Sequence, residues 1–331
     1  MNLTTRYMGL TLNNPLIAGA GPLNSELDNI RRLEDLGAGA VVMPSIFEEQ
    51  IEHEAQLLEN LIAVGTNSYA EALTYFPPMA SYRIGSYQYV EAVHRAAEAV
   101  DIPVIASLNG ITDHGWIDYA CQIEQAGANA IELNIYFIPS DIDITGQKVE
   151  QRYLDVLKAV KRAVKIPVAV KISPYFSSIG HVALQLDQAG VNGLVLFNRF
   201  YQPDIDLARL ALISDLELSK PSEIRLPLLW IGILAGQIKA SLAASTGVEN
   251  VDEVIKYLLA GADVVMTTSA LLRHGIEHMR VLTDDLTEWF KARDLESPDA
   301  IRGRLSHKNI VDPTTFERAN YIKILQSYRS P

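Results

Sequence analysis

Eight short apolar runs, each closing on small or polar residues and most separated by helix-like stretches, predict an α/β fold, a (β/α)8 barrel. Two further observations support it. Four helical segments end in a related phrase that leads straight into a strand, and three other strands open directly after a proline.

The strands are expected at 15–21, 40–45, 103–109, 130–136, 167–173, 193–198, 239–246 and 262–268. Several are almost uninterrupted apolar runs, as parallel strands covered on both faces require. The repeated phrase is Leu36-Gly37-Ala38-Gly39-Ala40, with counterparts at Gly127, Gly190 and Gly261. A glycine just past the last helical turn takes the left-handed conformation that closes a helix. The proline openings are Asn14-Pro15, Ile102-Pro103 and Ile166-Pro167. Two stretches break the rhythm. Residues 46–88 form an insertion after the second strand, expected as a lid over the barrel mouth, and residues 200–237 lead irregularly to a helix start at Pro221-Ser222-Glu223. Amphipathic helices follow from 276 to 331, the last beginning near Asp312-Pro313. The expectation is one domain over residues 1–331, because 331 residues with 48% hydrophobic content can bury one large core and barrels run past ordinary domain length.

Composition narrows the function. With 28 Lys and Arg against 40 Asp and Glu the formal charge is -12, which repels a nucleic-acid backbone. The densest basic cluster, Lys158, Lys161, Arg162 and Lys165, falls at helical spacing and reads as a solvated face. The lone Cys121 excludes an intrachain disulfide and reads as a buried structural thiol in a reducing compartment. Met1 to Tyr7 lacks the apolar core of a signal peptide, and the longest apolar run, Leu226 to Gly236, is shorter than the ~18 residues of a membrane span. A cytoplasmic protein that binds neither membrane nor nucleic acid is expected. The seven histidines are scattered without carboxylates at ligand spacing, so no metal site is expected, and His114 reads as a helix-start residue.

In such a barrel the chemistry sits at the C-terminal ends of the strands. Those ends are Ala18-Gly19-Ala20-Gly21, Met43-Pro44-Ser45, Ser107-Leu108-Asn109, Glu132-Leu133-Asn134, Lys171-Ile172-Ser173, Asn198-Arg199, Ser245-Thr246-Gly247 and Thr267-Thr268-Ser269. Thr246-Gly247 and Thr268-Ser269 follow the last two strands, where barrels often hold phosphate through backbone N–H groups and hydroxyls; ordinary turn and capping residues would look the same. Lys171, between apolar neighbours, must snorkel, pair or point into the mouth, and the last would set its ammonium against an electron-rich ring. Asn109, Asn134 and Asn198 could hydrogen-bond the edges of a planar heterocycle. The set suggests a flavin site for a small-molecule reaction.

Asn14-Pro15-Leu16-Ile17-Ala18-Gly19-Ala20-Gly21, Ile131-Glu132-Leu133-Asn134, Val170-Lys171-Ile172-Ser173-Pro174 and Gly261-Ala262-Asp263-Val264-Val265-Met266, with Asn67-Ser68 in the long insertion, resemble the dihydroorotate dehydrogenase family. The closer likeness is to its soluble, FMN-containing branch, which includes the barrel domain of dihydropyrimidine dehydrogenases, and it extends over residues 3–275. The resemblance implies FMN across the strand ends, its phosphate on Thr246, Gly247, Thr268 and Ser269. It places the ring against Ala18, Gly19, Ala20 and Gly21, with Ser45, Asn134 and Lys171 near its polar edge. It implies substrate held by Asn67, Asn134 and Asn198, removal of a proton and a hydride from dihydroorotate, a role in pyrimidine biosynthesis, a homodimer and a soluble electron acceptor.

Departures from the family pattern matter as much. Its general base, a cysteine or serine three residues after the asparagine of Glu-Leu-Asn, is replaced by Phe137, which cannot take a proton. Loss of a positioned base costs about 10² to 10⁴ in rate. Pro44 replaces a lysine at the second strand end, Arg199 replaces a small hydroxyl residue after Asn198, and the glycine-rich turn between strands six and seven is not evident. Tyr136, Ser140 and Asp141 are the replacement bases available in the same loop. Arg199 can pair with a substrate carboxylate or with Asp204 or Asp206. Three readings follow: an FMN-dependent oxidoreductase of the dihydroorotate type, an FMN-binding homologue without that activity, and a barrel enzyme using another phosphorylated ligand.

Overall fold

A computed structural model of the protein describes residues 1–49, 86–110, 116–200, 202–213 and 216–327. The chain opens with an antiparallel hairpin, β1 (Thr5–Tyr7) and β2 (Leu10–Leu12), in register Thr5 with Leu12. Eight parallel strands then close into a barrel: β3 (Leu16–Ala18), β4 (Ala40–Phe47), β5 (Val104–Asn109), β6 (Ala130–Asn134), β7 (Val168–Ile172), β8 (Gly193–Leu196), and, after a hairpin made by β9 (Asp204–Asp206) and β10 (Ala211–Ile213), β11 (Ser241–Ala244) and β12 (Val264–Thr267). Every expected strand is present, and β12 pairs with β3 to seal the cylinder.

Between the strands run α1 (Leu27–Asp35), α2 (Ser86–Ala99), α3 (Trp116–Gln125), α4 (Gly146–Ala163), α5 (Ile179–Gln188), α6 (Arg225–Leu234), α7 (Val251–Ala260) and α8 (Ser269–His274). The repeated glycine phrase does what its sequence demands: Gly37, Gly127, Gly190 and Gly261 sit at φ +92°, +95°, +86° and +124° past helix ends, conformations costly for a side chain. After the barrel come α9 (His278–Lys291) and α10 (Arg318–Ser327), and α9 buries Met279, Leu282, Leu286 and Phe290 at helical spacing. The expected C-terminal helices are therefore present.

Inward and outward side chains alternate along each strand, so the interior is filled in layers. At the N-terminal end Tyr7, Met8 and Leu12 of the first hairpin plug the barrel against Ile17, Ala40, Val42, Ile105, Ala130, Ala169, Val195 and Val264. Gly193 makes room for that plug. A Cβ there would lie 2.9 Å from Met8 Cγ and 3.1 Å from the Tyr7 ring. The outward residues of the same strands meet the helices in the larger apolar cluster. Asn14 fixes where the first barrel strand starts, accepting from Leu16 N at 2.9 Å and donating to Gly37 O at 2.7 Å.

Three expectations are revised. The hairpin of β9 and β10 inside 200–237 has no counterpart in the reading from sequence. Strand β4 runs on to Phe47, and between Val42 and Ser45 its register with β5 shifts, so that Met43 and Pro44 together oppose Ala106. Proline lacks the N–H that a ladder needs, and a bulge tolerates it. Cys121 is half-buried, its Sγ 3.5 Å from Ala163 O. The insertion expected at 46–88, with Asn67, and His114 fall almost wholly outside the described residues. Among the described residues no helix is long and apolar enough to cross a membrane, and no group of three or more His, Cys, Asp or Glu side chains could hold a metal ion.

Candidate functional site

The inward layer at the C-terminal end of the barrel is polar. On β6, Glu132 is 1% exposed and neither carboxylate oxygen has a hydrogen-bond partner among the described residues. Lys171 on the adjacent strand brings its Nζ to 3.6 Å from Glu132 Oε1. Of the options open to this lysine, pairing and reaching the mouth are both met: it rests on a buried counter-charge and keeps 15% of its side chain exposed at a cavity wall. Tyr7 presents a buried hydroxyl that also lacks a partner among those residues, and burial, then the charge of Glu132, push its phenol far up.

The bulge in β4 has a direct effect on the site. It returns Ser45 to register with Ser107, and the two hydroxyls meet at 2.7 Å. Ser107 is held in turn by Tyr89, whose hydroxyl accepts from Ser107 N at 2.9 Å. Asn134 and Asn198 pair with each other, Asn198 Nδ2 donating to Asn134 Oδ1 at 2.5 Å, which leaves an NH₂ on Asn134 and a carbonyl oxygen on Asn198 for another partner. Tyr153 of α4 fixes the backbone just beyond, donating to Ile135 O at 2.8 Å, and burial raises its phenol to about 12.

Past Ile135 the loop turns its aromatic groups onto neighbours. Phe137, at the position of the family base, lies under the guanidinium of Arg152, 3.9 Å from its ring centroid. Tyr136 stacks on Phe200 at 4.6 Å. Ser140 and Asp141 face solvent, and Asp141 Oδ1 accepts from Asp143 N. Arg199 has a partner that was not anticipated: it is bound to Glu223 Oε1 at 3.1 Å and to the carbonyl of Glu217, while Asp204 and Asp206 cap their own hairpin. The acid paired with Arg199 is thus Glu223 and not Asp204 or Asp206.

At the first strand end, buried Asn24 donates to Gly19 O at 3.0 Å and Val42 O at 2.7 Å, locking the turn. Gly19 and Gly21 are needed for close packing, since a Cβ on either would come within 2.6 Å of the Thr268 side chain. Across from them Thr246 and Gly247 both take positive φ, +83° and +72°. A Cβ on Gly247 would meet Ile224 Cγ2 at 2.7 Å and Lys220 O at 2.8 Å. Ser219, buried to 5% exposure, bridges the two loops: its Oγ accepts from Gly247 N at 3.1 Å and donates to Ser269 Oγ at 2.9 Å. Glu249, in the loop after Gly247, is braced against α8 through Arg273 and His274, and His278 Nε2 lies 2.7 Å from its carbonyl.

One cavity of about 270 Å³ joins these parts. It is walled by Lys171 and Asn198 at one end, passes Ala20 and Gly21, and reaches Thr246, Gly247, Thr268 and Ser269 at the other. Of the other expected residues, Arg199 lines it, Ala18, Gly19, Ser45 and Asn134 are not among its lining residues, and Asn67 lies outside the described residues. A neighbouring cavity of about 330 Å³ between Tyr175, Phe200 and Arg225 shares Asn198 and Arg199 but lacks the lysine. Ser219, Asn24 and Glu223 were missed from sequence because each is a common polar residue in a loop or short turn, with no spacing that marks it.

The family model described as dihydroorotate dehydrogenase matches residues 82–290. The chain is 25% identical over 304 residues to a protein of Methanocaldococcus jannaschii named dihydroorotate dehydrogenase B (NAD(+)), catalytic subunit, covering 88% of this chain and 95% of that one. Proteins of the same name from Pyrococcus abyssi and Methanocella arvoryzae are 27% and 28% identical, covering 91% and 82% of this chain and 98% and 87% of their own.

Two predictions follow from the charges. Glu132→Gln leaves a buried ammonium without its counter-charge and lowers stability by about 3–5 kcal/mol in urea unfolding, whereas Glu132→Leu combined with Lys171→Met returns it to the wild-type value or above. For Glu249, burial raises the carboxyl, but His274 and Arg273 together hold it below its ordinary 4.5. A carboxyl held down in the folded state adds stability above its unfolded value and loses it as the pH falls through the folded one. Glu249→Gln is therefore less stable than wild type at pH 7, and the gap closes on acidification below about 4.5.

Proposed function

Because the chain belongs to the dihydroorotate dehydrogenase family, we propose that it is an FMN-dependent oxidoreductase that oxidises dihydroorotate or a related dihydropyrimidine ring. The observation that carries this reading is the single cavity joining Lys171 and Asn198 to the hydroxyls and N–H groups of residues 246–247 and 268–269. Its donor set fits FMN, a cation and amide at the ring end and hydroxyls with backbone N–H at the phosphate end. Thr246, Gly247, Thr268 and Ser269 would hold the phosphate and Ala20 and Gly21 would flank the ring; by the family resemblance Ser45 and Asn134 would stand near its polar edge. When bound, FMN supplies an acceptor for hydride. Lys171, its charge balanced by Glu132, stabilises negative charge at the ring edge, and Asn134 and Asn198 offer a donor and an acceptor to substrate.

A second reading, an FMN-binding homologue that leaves dihydroorotate untouched, is favoured by one specific contact: Phe137, whose ring cannot take a proton, is held on α4 by Arg152. Pro44 in the β4 bulge, where the family has a lysine, points the same way. We also place the protein in the cytoplasm, since its lone cysteine suits a reducing compartment. We propose a homodimer, since the hairpin of β9 and β10 exposes Ile205, Leu207, Leu210 and Leu212 at 57%, 82%, 84% and 71%, and a two-stranded hairpin is marginal without a partner.

Anaerobic addition of dihydroorotate to the purified yellow protein tests the first reading. Bleaching at a catalytic rate, lowered at least ~10²-fold by Lys171→Met, is the expected result, and a flavin band that persists assigns the second. For the dimer, Leu207→Glu with Leu212→Glu is expected to give the monomer mass in analytical ultracentrifugation, and an unchanged dimer would contradict this surface.

A further inference from the structure

The far end of the cavity is already bridged by the chain itself. Ser219 Oγ accepts from Gly247 N at 3.1 Å and donates to Ser269 Oγ at 2.9 Å, and Ser219 N donates to Ser269 Oγ at 3.1 Å. Ser219 is 5% exposed and lines the same cavity as Lys171. The strap that carries it, residues 216–220, is tethered on both sides: Arg273 donates to Ser219 O at 3.0 Å, Arg199 donates to Glu217 O, and Lys220 N donates to Glu223 Oε2 at 2.6 Å. It lies flat on Gly247, whose absent Cβ would collide with Lys220 O. A hydroxyl oxygen and a phosphate oxygen both accept from an N–H, so a phosphate oxygen can take the place of Ser219 Oγ on Gly247 N, and Ser269, which only accepts from Ser219, has its own proton to donate to the phosphate.

We propose that the Ser219 hydroxyl keeps the place of a phosphate oxygen in the ligand-free protein, and that the 216–220 strap gives up these hydrogen bonds when a phosphomonoester enters. Ser219 then sets how strongly the site favours a phosphorylated ligand over its unphosphorylated form. The identity of that ligand as FMN rests on the function proposed above; the competition itself needs only a phosphate group.

Ser219→Ala separates the two states. Without the hydroxyl, Gly247 N–H loses its partner in the free protein but not in the phosphate-bound one, while Ser269 Oγ keeps Ser219 N as a donor. FMN is expected to bind the variant about tenfold tighter, riboflavin to bind as it does to wild type, and the melting temperature to fall only without FMN. Glu223→Ala, which frees Lys220 N and so unfastens the strap without touching Gly247, Glu249 or Ser269, is expected to shift the FMN-to-riboflavin ratio in the same direction and guards against a variant that fails to fold. Weaker FMN binding by Ser219→Ala, or equal changes for FMN and riboflavin, would overturn the proposal. If neither flavin binds either protein the FMN reading fails, and inorganic phosphate decides the strap: greater protection of the variant than of wild type supports it, and equal or no protection overturns it.

Discussion

Closing eight parallel strands forces every second side chain into the cylinder, and what fills that interior fixes the rest of the molecule. At the N-terminal end the filling is apolar and is completed by Tyr7, Met8 and Leu12 from the opening hairpin. At the other end the same alternation puts Glu132, Lys171, Ser107 and Asn134 on one face of adjacent strands, at two successive levels. A buried carboxylate beside an ammonium is a poor source of stability, because desolvation offsets much of the attraction. Its presence on the barrel axis is better explained by what it holds in place: a positive charge at the floor of a cavity, with the rim loops arranged around it.

The rim shows how local irregularities serve that layer. The β4 bulge at Met43-Pro44 shifts the strand so that Ser45, and not its neighbour, meets Ser107. The turn after β3 is bare at Gly19 and Gly21 because Thr268 packs against it, and Asn24 ties the turn to β4. Thr246 holds a positive φ that a β-branched residue adopts at a cost of about 1–3 kcal/mol. Such strain persists where surrounding contacts overdetermine it, and the Ser219 bridge and the Glu249 brace provide those contacts.

Much of this was legible in the chain. The eight strands and the helix ends at Gly37, Gly127, Gly190 and Gly261 follow from apolar runs and one backbone requirement, both local properties. Lys171 was legible because a cation inside an apolar run has few places to go. The partners of the site residues were not. Glu223 faces Arg199, Asn198 faces Asn134 and Ser219 faces Gly247 through contacts between segments 24 to 64 residues apart, set by the closure of the barrel and by the irregular path from β8 to β11. The hairpin of β9 and β10 escaped for a related reason. Its strands are three residues long and exposed, so the burial alternation that marks a strand is missing.

A crystal structure of the protein reconstituted with FMN tests the central claim most directly, that the cavity from Lys171 to residues 246–247 and 268–269 is a flavin site floored by the Glu132–Lys171 pair. The account predicts the ring edge within hydrogen-bond distance of Lys171 and the phosphate between the two loops, with Ser219 released from Gly247. A flavin seated elsewhere, or a protein that takes up no FMN, would contradict it.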